Sequence, residues 1–93
     1  MAALSWQGSD GTPRTFKLRD GTVLGRGADC DLVLEDSSAS RRHAEIRKVG
    51  STYVLRDLAS KNGTSVNDAV VSTWTLKEGD VISIGNAKFV FRS

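Results

Sequence analysis

The feature of this sequence that most constrains its fold is a succession of short apolar runs with turn signals between them. Residues 32–34 and Val81–Ile84 are such runs, and Asp20-Gly21 is a typical tight turn. From residue 43 to residue 49, apolar and polar side chains alternate, as in a strand with one buried face. No segment of helical length carries an apolar stripe with the helical period. The pattern predicts an all-β domain of about ten short strands, either a sandwich or a barrel.

Charge and cysteine content narrow the possible partners and sites. The 93 residues suit one domain, and a formal net charge of +2 is too small to indicate nucleic acid or an anionic membrane. A single cysteine, Cys30, allows no internal disulfide and no Cys/His metal site, which favours a reducing compartment. Residues 1–6 do not resemble a signal peptide, and no apolar run has transmembrane length. We therefore expect a cytoplasmic protein, or a cytoplasmic module of a larger one, with no metal, no cofactor and no direct membrane contact.

Catalytic groups are scarce in the sequence. A nucleophilic Ser or Cys needs a base within reach, and the only histidine is His43. A catalytic triad built on Ser40 and His43 would also need an orienting group and an oxyanion hole, which the spacing does not supply. Cys30 is followed by an apolar run, so we expect a buried thiol. The sequence therefore predicts that the chain is not an enzyme.

Three predicted loops carry groups that suit an oxyanion. A phosphate is bound by guanidinium forks, hydroxyl and amide donors, and exposed main-chain N–H groups. Each loop alone is a weak signal, because basic residues in loops are usually only solvated. The first loop does not match a nucleotide-binding loop, since no Gly-Lys-Ser or Gly-Lys-Thr follows it. The three loops are Gly25-Arg26-Gly27, Ser40-Arg41-Arg42 and residues 60–64.

The order of these motifs resembles the forkhead-associated (FHA) domain. That family's pattern is Gly-Arg, then Ser-x-x-His, then Asn-Gly-Thr with a further Asn three residues later. The matching residues here are Gly25-Arg26, Ser40 with His43, Asn62-Gly63-Thr64 and Asn67. The resemblance covers residues 14–91, with residues 1–13 as an N-terminal strand or extension, so residues 1–93 are expected to form one domain. It implies a two-sheet β-sandwich of the FHA/SMAD type, with eleven strands and peptide-binding loops at one end.

The resemblance also implies a function and a role for each matching residue. The function is recognition of phosphothreonine in a protein or peptide, such as a Ser/Thr kinase or its substrate. Arg26 would bind the phosphate, Ser40 would donate a hydrogen bond to a phosphate oxygen, and Asn62 would form a hydrogen bond with the ligand backbone. Arg41, Arg42 and Lys61 would add contacts or positive charge. The residues implied to support the site without touching the ligand are Gly25, His43, Gly63 and Asn67. Asp68 departs from the pattern, which commonly has Gly there.

Two alternative functions remain open on the sequence. One is an FHA-like scaffold that docks a partner without phosphate, and the other is a small β-barrel that binds nucleic acid. The second would need aromatic side chains exposed for base stacking. Trp6 alone is predicted to be exposed, and the other five aromatic residues are predicted to be inward or peripheral. These five are Phe16, Tyr53, Trp74, Phe89 and Phe91. We therefore expect no nucleic-acid partner.

Overall fold

The computed structural model describes residues 2–8 and 10–93, and within them eleven strands form two sheets packed as a sandwich. This confirms the predicted all-β sandwich. The strands are β1 (Ala3–Gln7), β2 (Pro13–Lys17), β3 (Thr22–Gly25), β4 (Leu32–Val33), β5 (Ala44–Val49), β6 (Thr52–Asp57), β7 (Thr64–Val66), β8 (Ala69–Val71), β9 (Thr73–Thr75), β10 (Val81–Ile84) and β11 (Ala87–Arg92).

The first sheet has the order β2-β1-β11-β10-β7-β8, and the second has the order β4-β3-β5-β6-β9. The recorded pairings are antiparallel except that of β3 with β4, which is parallel. The N-terminal strand β1 lies between β2 and β11, inside the first sheet. The described ranges hold no helix of the length and apolar character needed to cross a membrane.

The core lies between the inner faces of the two sheets. In β5 the alternation read from the sequence is present, because Ala44 and Ile46 are buried whereas Glu45 is half-buried and Arg47 is exposed. Burying one large aliphatic or aromatic side chain stabilises a fold by about 1.5–3 kcal/mol. The largest apolar side chains with less than 2% exposure are Leu4, Leu24, Ile46, Leu55, Val66, Ile82, Ile84 and Phe89. They come from both sheets, so their packing holds the sandwich closed.

The two tryptophans differ from the sequence prediction. Trp6 is partly buried and packs edge-on against Phe89, with 5.3 Å between ring centroids. Trp74 is instead 39% exposed, with its Nε1 donating to Asp80 Oδ2 at 3.1 Å. The prediction that Trp6 alone is exposed is therefore wrong. It failed because β1 lies within the sheet rather than at its margin.

The strand register brings three loops to one end of the sandwich. Leu24 pairs with Ala44, and Ala44 pairs with Asp57, so these three residues lie side by side across β3, β5 and β6. Because β3 and β6 run toward this end and β5 starts from it, the loops beside them share the same end. These loops are the β3–β4 loop (residues 26–31), the β4–β5 loop (residues 34–43) and the β6–β7 loop (residues 58–63).

Candidate functional site

Main-chain contacts hold the β3–β4 loop against the β4–β5 loop. Arg26 N donates to Ser40 O and Gly27 N donates to Arg41 O, both at 2.9 Å. The backbones approach so closely at Gly25 that a Cβ atom there would lie 2.2 Å from Arg41 O. Only glycine fits such a contact. Gly25 therefore sets the position of Arg26, the next residue, relative to Ser40.

His43 fastens the β4–β5 loop to the β6–β7 loop from inside the sandwich. Its side chain is fully buried at 0% exposure. Ser40 N donates to its Nδ1 at 2.9 Å, and its Nε2 lies 2.8 Å from Gly63 O. Since Nδ1 accepts, the ring proton belongs on Nε2, which donates to the Gly63 carbonyl. Both nitrogens are engaged with main-chain groups, so His43 is not placed as a base for the Ser40 hydroxyl.

Ser40 presents its hydroxyl at the junction of the three loops. Its Oγ accepts a hydrogen bond from Lys61 N at 3.0 Å, and its side chain is half-buried. A hydroxyl that accepts one bond still has its own hydrogen to donate. The Ser40 hydroxyl is therefore oriented by the protein and still free to donate to an acceptor outside it.

The Arg26 guanidinium is anchored at one nitrogen. Its Nε donates to Ala39 O at 3.1 Å, while the residue remains exposed. No carboxylate among the described residues pairs with it. Both terminal nitrogens are thus available to form a fork with two oxygens of one anion.

Three further cations surround Arg26 and Ser40. Arg41 and Lys61 are exposed and form no ion pair within the described part of the chain. Arg42 lies 3.8 Å from Asp29, and both side chains are more than half exposed. Such an exposed pair is weak. The three loops hold four cations and four carboxylates, so as a whole they carry no net charge. The positive charge is instead local to Arg26, Arg41 and Lys61 beside Ser40, which have no ion-pair partner among the described residues.

Asn62 links two of the loops through its side chain. Its Nδ2 donates to Ser38 O at 2.9 Å, which joins the β6–β7 loop to the β4–β5 loop. Asn62 is exposed, and its side-chain carbonyl oxygen remains for a ligand N–H. The residue predicted to bond a ligand backbone thus also braces the site.

Asp57 supports the β6–β7 loop, a role the sequence analysis missed. Its carboxylate accepts from Ser60 Oγ at 2.5 Å, Ser60 N at 3.0 Å and Thr64 Oγ1 at 2.7 Å. Ser60 Oγ in turn accepts from Gly63 N at 3.0 Å. Burial raises the pKa of the Asp57 carboxyl, but the bonds from Ser60 and Thr64 outweigh it and hold that pKa below the ordinary value. An Asp ending a strand three residues before Ser is the turn signal that would have found it.

Asp36 supports the β4–β5 loop in the same way and was also missed. Its carboxylate accepts from Ser38 Oγ at 2.5 Å, Ser38 N at 2.9 Å and Asn86 N at 2.8 Å. Hydrogen bonds from Ser38, and then from Asn86, lower the pKa of the Asp36 carboxyl. Asn86 lies in the β10–β11 turn, so Asp36 ties the β4–β5 loop to the first sheet.

Asn67 lies at the other end of β7 from Gly63. Its Nδ2 donates to Asp80 Oδ1, and its Oδ1 accepts from Val81 N, both at 3.0 Å. These bonds join the β7–β8 turn to the segment before β10. Of the four predicted supporting residues, His43 and Gly63 lie in the three loops and Gly25 ends the strand just before one of them, whereas Asn67 lies in the β7–β8 turn.

Together the loops form a small cationic site suited to a tetrahedral oxyanion. They combine a guanidinium fork, a hydroxyl with a free hydrogen and two unpaired cations on backbones locked by hydrogen bonds. In residues 2–8 and 10–93, no group of three His, Cys, Asp or Glu side chains is placed to hold a metal ion. The free donors of Arg26 and Ser40 are of the kind that bind an anion such as phosphate.

Comparison with known proteins gives the same family at the level of sequence and structure. The family model described as the FHA domain matches residues 22–85. FhaA, an FHA domain-containing protein of Mycobacterium tuberculosis, is 45% identical over 91 residues, which are 97% of this chain and 17% of FhaA. The chain therefore spans only a small part of that relative.

Two solved structures extend the likeness to the whole described fold. The FHA domain of FhaA, complexed with the intracellular domain of Rv3910, has a TM-score of 0.89 and 44% identity and covers 99% of this chain and 100% of that one. A structure from a study of phosphothreonine-dependent FHA domain interactions has a TM-score of 0.88 and 43% identity, covering 98% of this chain and 96% of that one.

Proposed function

The chain belongs to the forkhead-associated (FHA) domain family, and from that membership we propose that it binds proteins or peptides phosphorylated on threonine and catalyses no reaction. The observation that carries the proposal is the pairing of Arg26 with Ser40. The two residues stand on loops joined by their own main chains, and each keeps free donors. A study of phosphothreonine-dependent interactions of a related FHA domain supports the choice of ligand.

Arg26 and Ser40 would bind the phosphate directly. The two terminal nitrogens of Arg26 match two phosphate oxygens, and the Ser40 hydroxyl donates to the third. Arg41 and Lys61 would add positive charge or a bond to the peptide. Arg42 would add charge at the rim, where it lies 3.8 Å from Asp29. Asn62 would accept from a ligand main-chain N–H and hold the peptide extended across the loops.

The free energies of these contacts predict reversible binding in which the phosphate supplies most of the affinity. Three or four charge-assisted hydrogen bonds contribute about 1.5–3 kcal/mol each. Ordering a flexible peptide offsets a part of the total. A dissociation constant of about 1 μM corresponds to about 8 kcal/mol. The phosphate contacts are therefore sufficient for micromolar affinity, and losing one guanidinium would remove most of it.

We further propose that residues 1–93 act as one binding domain in the cytoplasm. A Ser/Thr kinase or one of its substrates would be the partner, since such kinases create phosphothreonine. The related FhaA domain was solved with an intracellular domain as its partner, which supports the compartment. A lone buried Cys30 suits a reducing environment.

Calorimetric titration tests the proposal. The wild-type protein, Arg26→Ala and Arg19→Ala are titrated with a degenerate phosphothreonine peptide pool and with its unphosphorylated twin. Arg19 is the matched control, an exposed arginine in the β2–β3 turn at the opposite end. We expect micromolar binding of the phosphorylated pool by wild type and Arg19→Ala, and none by Arg26→Ala. Equal heats with the two pools would overturn the proposal.

A further inference from the structure

A cleft of about 610 Å³ opens beside the β4–β5 loop, between the edges of the two sheets. We call it the side cleft. One wall is β4 with the residues that follow it, and the other is formed by β1, the start of β2 and the β10–β11 turn. Its principal lining residues are Trp6, Arg14, Val33, Leu34, Asp36 and Ala87.

The side cleft has a mixed polar and apolar lining, and Trp6, Val33 and Ala87 belong to its apolar part. Val33 is 46% exposed, and it is one of four large hydrophobic residues with substantial exposure in the described chain. Trp6 is fixed by its contact with Phe89, so its outer face is a rigid wall. Arg14 and Glu35 at the rim carry opposite charges, and the carboxylate of Asp36 is already hydrogen-bonded. Trp6, Val33 and Ala87 are the part of this mixed lining that suits an apolar side chain.

The wall formed by β4 also offers backbone groups. β4 is the outermost strand of the second sheet, and beyond it no further strand is paired in the part of the chain described. The outer edge of a strand presents N–H and C=O groups that an extended peptide can pair with. A ligand in the side cleft would thus find both a pocket for one side chain and a partner for its main chain.

The side cleft is continuous with the loops that carry Arg26 and Ser40. Val33 pairs with Gly25, the residue before Arg26, so the Cα atoms of Val33 and Arg26 are at most about 9 Å apart. Asp36 lines the side cleft and also holds Ser38, whose carbonyl accepts from Asn62. Allowing for the length of the arginine side chain, an extended ligand runs from the phosphate to Val33 in about four residues.

We propose that the side cleft is a second docking site for the phosphorylated partner, and that it takes an apolar side chain about four to six residues from the phosphothreonine. This rests on the proposed phosphothreonine binding. The occupant is the ligand's own chain because the side cleft and the phosphate site share the β4–β5 loop, so one extended segment reaches both. Tethering by the phosphate gives the second contact a high local concentration.

Titrations with peptides of two lengths distinguish binding at the side cleft from binding at the phosphate site. The short probe has phosphothreonine with three residues on either side. The extended probes add six residues to one end or the other, with leucine, aspartate or glycine at each added position in turn. Each is titrated into wild type, Val33→Gln and Val49→Gln. Val49 is a matched control, a valine 59% exposed at the far end of β5.

The short probe should bind all three proteins equally. One leucine series should bind wild type and Val49→Gln about tenfold more tightly than the short probe, as burial of one leucine side chain predicts. Val33→Gln should lose this gain in affinity, and aspartate or glycine at the same position should not produce it.

If the short probe binds but no extension improves binding, or if Val33→Gln keeps the gain, the second site is refuted and the phosphate site stands. If the short probe itself fails to bind, the proposed function fails first. Concentration-dependent self-association that Val33→Gln abolishes would assign the side cleft to a second copy of the chain and refute the proposal.

Discussion

Replacing Gly25 by alanine tests whether the phosphate site depends on the close contact between two loops. The added Cβ would lie 2.2 Å from Arg41 O, 2.8 Å from Arg41 C and 3.0 Å from His43 N. All three neighbours are backbone atoms, which cannot swing aside as a side chain can. Ordinary contact begins at 3.4 Å, so the alanine and the Arg41 carbonyl must separate by about a further 1.2 Å.

That movement has a calculable cost. The Arg41 carbonyl accepts from Gly27 N at 2.9 Å and from Cys30 Sγ at 3.0 Å, and both bonds would stretch beyond useful length. Overpacking costs about 1–3 kcal/mol, and losing a hydrogen bond costs about 1 kcal/mol. We expect the free energy of unfolding to fall by about 2–4 kcal/mol in total. Arg26 and Ser40 would also shift relative to each other, so affinity for a phosphothreonine peptide should fall at least about tenfold.

Chemical denaturation and calorimetric titration measure the two effects, with Gly50→Ala as the control. Gly50 has a φ of +62° and no atom within 4 Å of an added Cβ, so alanine there introduces backbone strain without a clash. It lies in the β5–β6 turn at the opposite end, and it should cost about 1–2 kcal/mol and leave affinity unchanged. Wild-type affinity in folded Gly25→Ala, or a smaller loss of stability in Gly25→Ala than in Gly50→Ala, would refute the reasoning.

Two further predictions concern residues outside the phosphate contacts. The folded-state pKa of Asp57 lies below the ordinary value of 3.8, so its carboxylate stabilises the fold above that pH, and this contribution is lost as the pH falls through the folded-state pKa. The difference in unfolding free energy between wild type and Asp57→Asn should therefore shrink as urea titrations are taken below pH 3.8, and a constant difference would contradict the role given to Asp57. Asn67 and Asp68 have φ of 51° and 69° in the β7–β8 turn, a conformation that glycine adopts without strain. Asp68→Gly should raise the free energy of unfolding by up to about 1 kcal/mol with no change in peptide affinity, and a loss of stability would show that the Asp68 side chain makes a contribution of its own.

The sequence predicted the parts of the fold whose pattern is local. Alternation identified β5, and the apolar runs at residues 32–34 and 81–84 identified β4 and β10. It did not identify β9, because Thr73, Trp74 and Thr75 are all exposed and show no alternation of burial. The exposure of Trp6 was misjudged because it depends on which strands lie beside β1, which is a property of the sheet order rather than of the neighbouring residues.

The candidate site divides in the same way. Arg26, Ser40 and Asn62 were found from the order of motifs along the chain. Asp36 and Asp57 were not, because each acts through hydrogen bonds to loop residues, one of them across 50 positions of sequence to Asn86. A sequence shows which donors are present, but the carboxylates that orient them become visible only when the loops are in place.

The bonds that His43 and Asn62 make between the loops, and those that Asp57 makes within the β6–β7 loop, also bear on the rate of ligand binding. A site that must first fold around its ligand shows a slow unimolecular step, and its observed rate levels off at high ligand concentration. Here the loops that carry the donors are already held in place by two hydrogen bonds. Ser40 N donates to His43 Nδ1, and Asn62 Nδ2 donates to Ser38 O. Association should therefore be limited by the encounter of phosphate with the cations beside Ser40, and it should be faster in dilute salt. Differences in affinity among partners should then lie mainly in the dissociation rate.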